Sequence, residues 1–416
     1  MGIIGKIFGF DNSSASASTV TASCDPAPAK GGNWFNGIGK TAGTEPKSRT
    51  VYSKIGTPRR LEAADLLASG GEGVIYAMPG TDKILIKLYK NNILGDPRKT
   101  ASNRERLDDM LRAKLDGHSC LAWPRAAVFN ERREVIGFAM NRCSGTSFMT
   151  LGGGAAAVRR AFPNWDRSHL ARTALDFVQK VAFLAARGVI INDFNPANFL
   201  VNEKCEVSFI DCDSFQIPRH GGGAHVTRTF FSSYVAPELL RTPSLLTRPR
   251  NIHHVEFGAA MIVFHLLMCG LHPYSYYDPS RQSACGTPDE NLRKGRCPLG
   301  TGSDCRLPQG NWYNLWSWLT GTLKGCFIRT FRDGHADPAR RVPLDELAAE
   351  LRKLIEEMNR PAWKDVSGDA PKRRLLNPTM AKSHDYHRQP GAGGNSAQPY
   401  FIPGRSGGWI PRGTKL

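Results

Sequence analysis

Several signatures are absent from this sequence of 416 residues. No two of its ten cysteines have the C-x-x-C spacing that is common in zinc and redox sites. Reduced thiols, as in a cytoplasmic protein, are therefore expected. Cys285, Cys297 and Cys305, with His272 upstream, leave a zinc site as the lesser alternative. The longest apolar run, "FGAAMIVFHLLMCG", is too short to cross a bilayer and predicts a buried helix.

Acidic residues are scarce, since 37 Asp and Glu stand against 55 Lys and Arg and give a net charge of +18. The ends of the chain, residues 1–61 and 366–416, carry 11 of these 18 excess charges. Both ends are rich in small and polar residues, so residues 1–55 and 361–416 are predicted to be disordered. Such basic tails could contact an acidic partner, a membrane surface or nucleic acid. The first residues lack the apolar core of a secretory signal, and no transmembrane segment is expected.

The middle of the chain changes from a strand pattern to a helical pattern. "GVIYAM" and "KILIKLY", separated by the turn signal "PGTDK", predict a hairpin, and "AAVFNERREVIGFAM" predicts another. Between the two hairpins, "ASNRERLDDMLRAKL" has the apolar spacing of a helix. After Gly145, helices are predicted at 166–188, 252–270, about 312–330 and 343–359, with short strands in "NFLVN" and "EVSFID". The fold class is therefore α+β.

The first hairpin contains a glycine-rich turn and a lysine in an apolar strand. Gly70, Gly71 and Gly73, just before Ile75, would let a phosphate approach the backbone N–H groups, although many plain hairpin turns are equally rich in glycine. Lys87 lies within "ILIKLY", where its ammonium needs an anion unless it reaches solvent at a sheet edge. That anion could be a phosphate or a carboxylate of the helix, which carries Glu105, Asp108 and Asp109.

The stretch "GVIINDFNPANFLVNEKCEVSFIDCDSF" combines an acid, an amide and a second acid. Asp193 could accept or orient the proton of an attacking hydroxyl, while Asn198 and Asp211 could hold a metal ion that bridges phosphates. Any one of these residues could instead cap a turn. Their order after a glycine turn and a strand lysine favours phosphoryl transfer.

This order of motifs resembles the protein kinase family, over about residues 62–358. The resemblance rests on these segments: "SGGEGVIY", "ILIKLY", "NDFNPANFLV", "FIDCDSF" and "YVAPELL". It implies a two-lobed fold within residues 56–360, with a small β-rich N-lobe at about 56–144 and a larger helical C-lobe at about 145–360. It also implies ATP with Mg²⁺ or Mn²⁺ as the ligands and serine or threonine as the acceptor. The combination is most similar to divergent bacterial serine/threonine kinase-like proteins.

The resemblance also implies roles for single residues. Lys87 would hold the phosphates of ATP and Asp193 would be the catalytic base, with Asn198 and Asp211 on the metal. The backbone of Met140 and Arg142 would bind adenine. The helix glutamate that pairs with Lys87 is expected to be Glu105. An ion pair is expected between Glu238 and Arg341.

Several residues depart from the family pattern. Asn192 replaces the arginine before the catalytic aspartate, so activation is not expected to require a phosphate on the following loop. Asp213 replaces a glycine and is expected to stiffen its segment, and Val255 replaces an aspartate that braces the catalytic loop. These departures leave two alternatives open, a scaffold that binds nucleotide or a partner without phosphorylating, and an enzyme of the same fold that transfers adenylate.

Overall fold

The computed structural model describes residues 48–227, 229–278, 283–284, 286–300, 315–360, 401–403 and 409–411. Contacts between residues group the chain into two compact units. The first contains residues up to Phe148 together with Leu184–Ser232 and Thr242–Val255. The second contains Met149–Phe183, Ser233–Arg241 and the residues from Glu256 onward. The lobe boundary near residue 145 stays a prediction.

The first unit is built on one antiparallel sheet of seven strands. Their bounds are β1 (Arg49–Tyr52), β2 (Pro58–Leu61), β3 (Leu66–Ser69), β4 (Gly73–Ala77), β5 (Ile84–Tyr89), β6 (Pro124–Phe129) and β7 (Val135–Asn141). The strand order is β2-β1-β6-β7-β5-β4-β3. The two predicted hairpins are therefore confirmed as β4–β5 and β6–β7.

Strand β1 lies inside the segment that the sequence predicted to be disordered. It pairs with β2 from Arg49 opposite Leu61 to Tyr52 opposite Pro58, and Val51 is buried in the sheet core. The sequence pattern missed it because the strand is short and the residues around it are polar. The prediction for residues 1–55 is thus wrong at its C-terminal end. Residues 1–47 lie outside the described chain, as do residues 361–400, so the partners expected for the basic tails stay predictions.

Apolar side chains of five strands form the core of the sheet. They alternate with residues of the opposite face, as the period of two in a strand requires. The buried cluster consists of Val51, Leu61, Tyr76, Ile86, Leu88 and Val128. This core fixes β5 in the sheet and therefore fixes the position of Lys87.

The helix between the hairpins begins earlier than predicted. After the four-residue helix α1 (Asn91–Leu94), helix α2 runs over Pro97–Ala113. Asp96 caps it by accepting the N–H groups of Arg98 and Lys99, and Pro97 occupies the first turn, where no N–H partner is needed. The predicted apolar face is confirmed for Leu107 and Met110, which are both buried.

The remaining elements follow in chain order. The helices are α3 (Phe148–Leu151), α4 (Ala155–Ala161), α5 (Arg167–Ala185), α6 (Pro237–Arg241), α7 (Ile252–Leu267), α8 (Pro288–Lys294), α9 (Gly321–Ile328), α10 (Gly334–Ala336) and α11 (Leu344–Asn359). The strands are β8 (Thr146–Ser147), β9 (Phe199–Val201), β10 (Val207–Phe209), β11 (Ile217–Pro218), β12 (Ala224–His225), β13 (Tyr277–Asp278), β14 (Ser283–Ala284), β15 (Phe401–Pro403) and β16 (Trp409–Pro411). The predicted helices correspond to α5, α7, α9 and α11, and the two predicted short strands correspond to β9 and β10.

The long apolar run forms a buried helix, as the sequence predicted. Phe257 and Phe264 of α7 are fully buried and each contacts the ring of Phe331 at centroid distances of 5.7 and 5.8 Å. Phe327 stacks on Phe331 with an interplanar angle of 4°. These rings form the core of the second unit. Among the described residues, no helix combines the length and apolar character that a membrane span requires.

The predicted ion pair between Glu238 and Arg341 is present in the second unit. Arg341 donates from Nη1 and Nη2 to the two carboxylate oxygens at 2.9 and 2.7 Å. Its Nε donates to the carbonyl of Gly334, and its guanidinium lies 5.0 Å from the ring centroid of Phe257. The pair therefore ties α6 to the segment before α11 through a buried, bidentate contact.

Replacing Arg341 with alanine is expected to lower the free energy of unfolding by about 3 kcal/mol, because the partly buried carboxylate of Glu238 then loses a fully buried partner. Arg340→Ala is the matched control, since Arg340 is exposed and reaches Asp333 only at 3.4 Å. That change should cost about 0.5 kcal/mol or less. Urea unfolding of both variants measures the difference, and equal losses would contradict the structural role given to the pair.

Candidate active site

The β9–β10 hairpin brings two of the predicted site residues together. Phe199 of β9 pairs with Phe209 of β10, so the residue before β9 and the residues after β10 lie at the same end of the hairpin. The N–H of Ile210 donates to the carbonyl of Asn198 at 3.0 Å. Asn198 and Asp211 are therefore neighbours, although they are separated in sequence.

Asp193 joins this end through the turn that precedes β9. Asn195 accepts the N–H of Ala197 at 3.0 Å and forms a short turn over Pro196–Asn198. Asn198 Nδ2 then donates to Asp193 Oδ2 at 3.3 Å. Asp193 is 4% exposed, and burial raises its pKa to about 6 although the hydrogen bond from Asn198 opposes the shift. A carboxylate with a pKa in this range is suited to accept a proton near neutral pH.

Asp211 adopts a backbone conformation that is uncommon for residues other than glycine. Its φ is +57°, a left-handed value that aspartate tolerates better than most residues. Its carbonyl accepts both the N–H and the hydroxyl of Ser214, which closes the tight turn after β10. Burial raises the pKa of Asp211; Lys87 opposes this shift, while the carboxylates of Asp213 and Asp193 add to it.

Lys87 is buried in the sheet and faces two carboxylates. Its Nζ lies 3.4 Å from Asp211 Oδ1 and 2.5 Å from Asp213 Oδ2. It also lies 5.8 Å from the ring centroid of Phe138, which is opposite it on β7. Burial acts to lower the pKa of Lys87, but Asp213 and Asp211 outweigh it and raise the pKa above its usual value. The ammonium is therefore charged, and its nearer partner is Asp213.

The expected pair between Lys87 and Glu105 is wrong. Glu105 is exposed and forms an ion pair with Arg219 at 2.9 Å. The neighbouring residue Arg106 is buried in its place and donates to the carbonyls of Phe215 and His225. A second helix acid is also engaged, because Asp109 Oδ2 lies 2.8 Å from His225 Nε2. Helix α2 thus presents a cation where the resemblance implied an anion.

A cavity of about 430 Å³ lies in the first unit beside this cluster. Charged groups of both signs line it, namely Lys87, Arg106, Glu72, Asp211 and Asp213. Sequence reasoning assigned no role to Arg106 and expected Asp213 only to stiffen its segment. Asp213 could have been identified from the sequence as the second acid in "DCD", two residues after Asp211. In the structure it contacts the buried strand lysine Lys87.

The glycine turn joins β3 to β4, and only part of it is sterically required. The N–H of Gly70 donates to the carbonyl of Gly73 at 2.9 Å. A Cβ on Gly73 would lie 2.8 Å from the carbonyl oxygen of Leu88, whereas a Cβ on Gly71 would meet nothing within 4 Å. Ile75 lies opposite Lys87 in the β4–β5 ladder. A phosphate at this turn stays a prediction.

The residues predicted to contact adenine lie at the end of the β5–β7 ladder. Met140 pairs with Leu85 in the β5–β7 ladder. The N–H of Arg142 donates to the carbonyl of Lys83 at 2.8 Å, because the ladder continues one residue past the end of β7. This N–H is therefore engaged within the sheet, and a contact of adenine with the backbone around Met140 and Arg142 stays a prediction.

Three buried oxygen atoms at the end of the hairpin have no hydrogen-bond donor among the residues that the structure describes. They are Asp193 Oδ1, Asn198 Oδ1 and Asp211 Oδ2. A buried polar atom without a partner is costly unless a ligand satisfies it. Carboxylate and amide oxygens are the ligands that Mg²⁺ and Mn²⁺ prefer. The residues present therefore fit a divalent cation, which Asn198 and Asp211 would hold next to Asp193.

A neutral hydrogen-bond relay occupies the position of the missing arginine. Asn192 Nδ2 donates to the hydroxyl of Thr227 at 2.6 Å, and that hydroxyl donates to the carbonyl of Ser214 at 2.6 Å. The relay connects the catalytic-loop segment, the turn after Asp211 and the following loop through neutral groups. That activation does not require a phosphate on this loop stays a prediction.

Replacing Thr227 with valine keeps the shape of the side chain and removes the hydroxyl. The carbonyl of Ser214 and the amide of Asn192 would then lose their partners, which should cost about 1–2 kcal/mol of stability. Thr81→Val is a control, since the Thr81 hydroxyl only accepts an exposed N–H within its own turn. Thermal unfolding of both variants checks the prediction, and a Thr227→Val variant as stable as the wild type would contradict the relay.

Curated kinases share sequence with this chain, although no family model matches it. The chain is 31% identical over 232 residues to protein kinase YegI of Escherichia coli O157:H7, a match that spans 54% of this chain and 34% of YegI. YegI of Escherichia coli strain K12 is 31% identical over 212 residues, 50% of this chain and 32% of the relative. The chain thus spans about a third of the length of these relatives.

One more relative and a solved structure are similar in part. The cGMP-dependent protein kinase, isozyme 1, of Drosophila melanogaster is 30% identical over 121 residues, 27% of this chain and 15% of the relative. A structure of the ROP18 kinase domain in complex with AMP-PNP and sucrose gives a TM-score of 0.47 at 15% identity, over 74% of this chain and 85% of the other.

The YegI similarity and the motifs described above support a likeness to protein kinases over about half of the chain. The predicted α+β fold is confirmed, with a β-rich N-terminal part followed by a larger helical part, in the order of a two-lobed kinase. The expected serine/threonine specificity and the metal belong to the proposal below.

Proposed function

We propose that the protein binds ATP with Mg²⁺ or Mn²⁺ and transfers the γ-phosphoryl group to a serine or threonine hydroxyl of a protein. The observation that carries this proposal is the group of three unpartnered, buried oxygens of Asp193, Asn198 and Asp211 beside the charged ammonium of Lys87. Phosphoryl transfer needs little beyond positioned groups and neutralised charge, and these residues provide both.

Each residue has a distinct task in the proposed reaction. Lys87 would bind the phosphates of ATP, and Asn198 and Asp211 would hold the cation, which neutralises charge on the β- and γ-phosphates. Asp193 would accept the proton of the acceptor hydroxyl. The hydroxyl oxygen forms a bond to the γ-phosphorus as the bond from that phosphorus to the β-bridging oxygen breaks, and ADP leaves.

Incubation of the purified full chain with ATP and Mg²⁺ or Mn²⁺, followed by intact mass measurement, tests the proposal. The wild type is expected to gain phosphate-sized additions, or to add them to a generic protein acceptor. Asp193→Asn keeps the size of the side chain and should reduce the rate by about 100-fold or more, because it removes the base.

The same mass measurement also distinguishes the two alternative functions, adenylate transfer and nucleotide binding without transfer. Adenylate-sized additions would mean that the same site transfers a different group. No addition to the chain or to an acceptor, combined with an increase in melting temperature when ATP and metal are added, would mean that the protein binds nucleotide without transfer. Either result would contradict the proposed reaction.

The rate should also depend on pH in a defined direction. Burial raises the pKa of Asp193 to about 6, and the base must be ionised to accept a proton. The value of kcat/KM should therefore be constant well above pH 6 and fall at least about tenfold per pH unit below it. A profile that stays flat to pH 5, with the protein still folded by circular dichroism, would show that Asp193 is not the base.

A further inference from the structure

The carboxylate nearest to Lys87 comes from the turn after β10 and not from a helix. Asp213 Oδ2 lies 2.5 Å from Lys87 Nζ, closer than Asp211 Oδ1 at 3.4 Å. We infer that Asp213 is the residue that positions Lys87 for the phosphates of the nucleotide, in place of a helix glutamate. This inference rests on the proposed function, because the position of Lys87 matters for chemistry only if a nucleotide binds there.

Helix α2 offers no acid on the face that lines the cavity. The residues of that face recur at helical spacing, and none of them is acidic. They are Ser102, Asn103, Arg106, Leu107 and Met110. The helix acids lie on other faces, where Glu105 pairs with Arg219 and Asp109 pairs with His225. Lys87 therefore depends on a carboxylate from another element.

Hydrogen bonds stabilise the orientation of helix α2 in which Arg106 faces the cavity. Arg106 donates to the carbonyls of Phe215 and His225, and Asp109 accepts from the backbone N–H of His220 at 3.2 Å. Hydrogen bonds from His225 and this N–H hold the pKa of Asp109 below its usual value although burial opposes the shift. Turning Glu105 inward would break these contacts and expose a buried arginine.

Both acids of the turn after β10, Asp211 and Asp213, contact the ammonium of Lys87. The left-handed conformation of Asp211 and the hydrogen bond from Ser214 N–H to its carbonyl, at 2.9 Å, close a short turn over Cys212–Ser214. Cys212 is fully buried and donates to the carbonyl of Phe209 at 3.3 Å, which anchors the turn. Asp211 and Asp213 consequently approach Lys87 from the same segment.

Asp211 and Asp213 can have different roles in this arrangement. Asp211 keeps one buried oxygen, Oδ2, without a hydrogen-bond donor, so it is open to a cation. Asp213 makes the shorter contact with Lys87 and can hold the ammonium while Asp211 binds metal. A glycine at position 213 would leave both tasks to Asp211 alone.

The first test measures Lys87 directly and needs no catalysis. The full chain without nucleotide is treated with acetic anhydride over a range of pH, and acetylation of Lys87 is quantified by peptide mass spectrometry. The cavity gives a small reagent access to the amine. The charged and titratable groups that line the cavity with Lys87 are Asp211, Asp213, Glu72, Arg106, Tyr89, Arg219 and His225. Only an unprotonated amine reacts, so the pH at which labelling begins reports how strongly its partners hold the proton.

The labelling experiment compares three variants with the wild type. Asp213→Asn should begin to label at a pH about one unit lower or more, because a desolvated lysine has then lost its nearest opposite charge. Glu105→Gln should leave the labelling of Lys87 unchanged. Asp108→Asn is the matched control, an exposed acid of the same helix. A shift with Glu105→Gln and none with Asp213→Asn would overturn the inference.

The second test asks whether the reaction depends on a carboxylate at position 213. Asp213→Asn should lower kcat/KM by about 10- to 100-fold, the equivalent of one charge-assisted hydrogen bond. Asp213→Glu should retain more activity than Asp213→Asn.

The outcomes separate this inference from the proposed function. A shift of Lys87 labelling in Asp213→Asn, in a protein whose wild type transfers no phosphate, would support the ion pair and refute the reaction. An active wild type with no change in labelling or kcat/KM in Asp213→Asn would overturn the positioning role and leave the reaction intact. Circular dichroism of each variant confirms that the fold is retained.

Discussion

The buried ammonium of Lys87 determines which charged groups the candidate site needs around it. Lys87 lies in the middle of β5 with apolar neighbours in the ladder, where a charge without partners would cost several kcal/mol. No strand of the sheet carries an acid, Glu72 of the glycine turn acts on Lys87 more weakly than Asp213 and Asp211, and helix α2 presents Arg106. The turn after β10 supplies the two carboxylates that contact the ammonium.

The same turn is attached to the residues that would act on a phosphoryl group. The register of β9 and β10 makes Asn198 and Asp211 neighbours, and Asn198 in turn holds Asp193. Each member of this chain of contacts is buried, so its polar atoms need partners from the protein or from a ligand. Each of these three residues keeps one oxygen without a donor in the described part of the chain, which is why a cation and phosphate groups are the ligands that suit the site.

Local patterns predicted much of this structure. Alternating apolar residues and turn signals identified the hairpins, and the short apolar runs "NFLVN" and "EVSFID" identified β9 and β10. Antiparallel pairing of those two strands then follows from their separation by a short turn, which brings Asn198 beside Asp211. Glu238 and Arg341 were paired correctly because the resemblance supplied the partner.

The errors concern contacts between segments that are distant in sequence. Glu105 and Arg106 are adjacent on α2, and only the packing of the helix decides which of them faces Lys87. A difference of one position rotates a side chain by about 100° on a helix, which local propensity does not resolve. Strand β1 is held by pairing with β2 and not by its own composition.

The central claim is that the unpartnered oxygens at the end of the hairpin bind a divalent cation together with ATP. Electron paramagnetic resonance of Mn²⁺, titrated into the full chain with a non-hydrolysable ATP analogue, tests it most directly. The wild type should immobilise Mn²⁺ only when nucleotide is present, and Asp211→Asn should lose this binding while remaining folded. Equal Mn²⁺ binding by the wild type and Asp211→Asn would contradict the account.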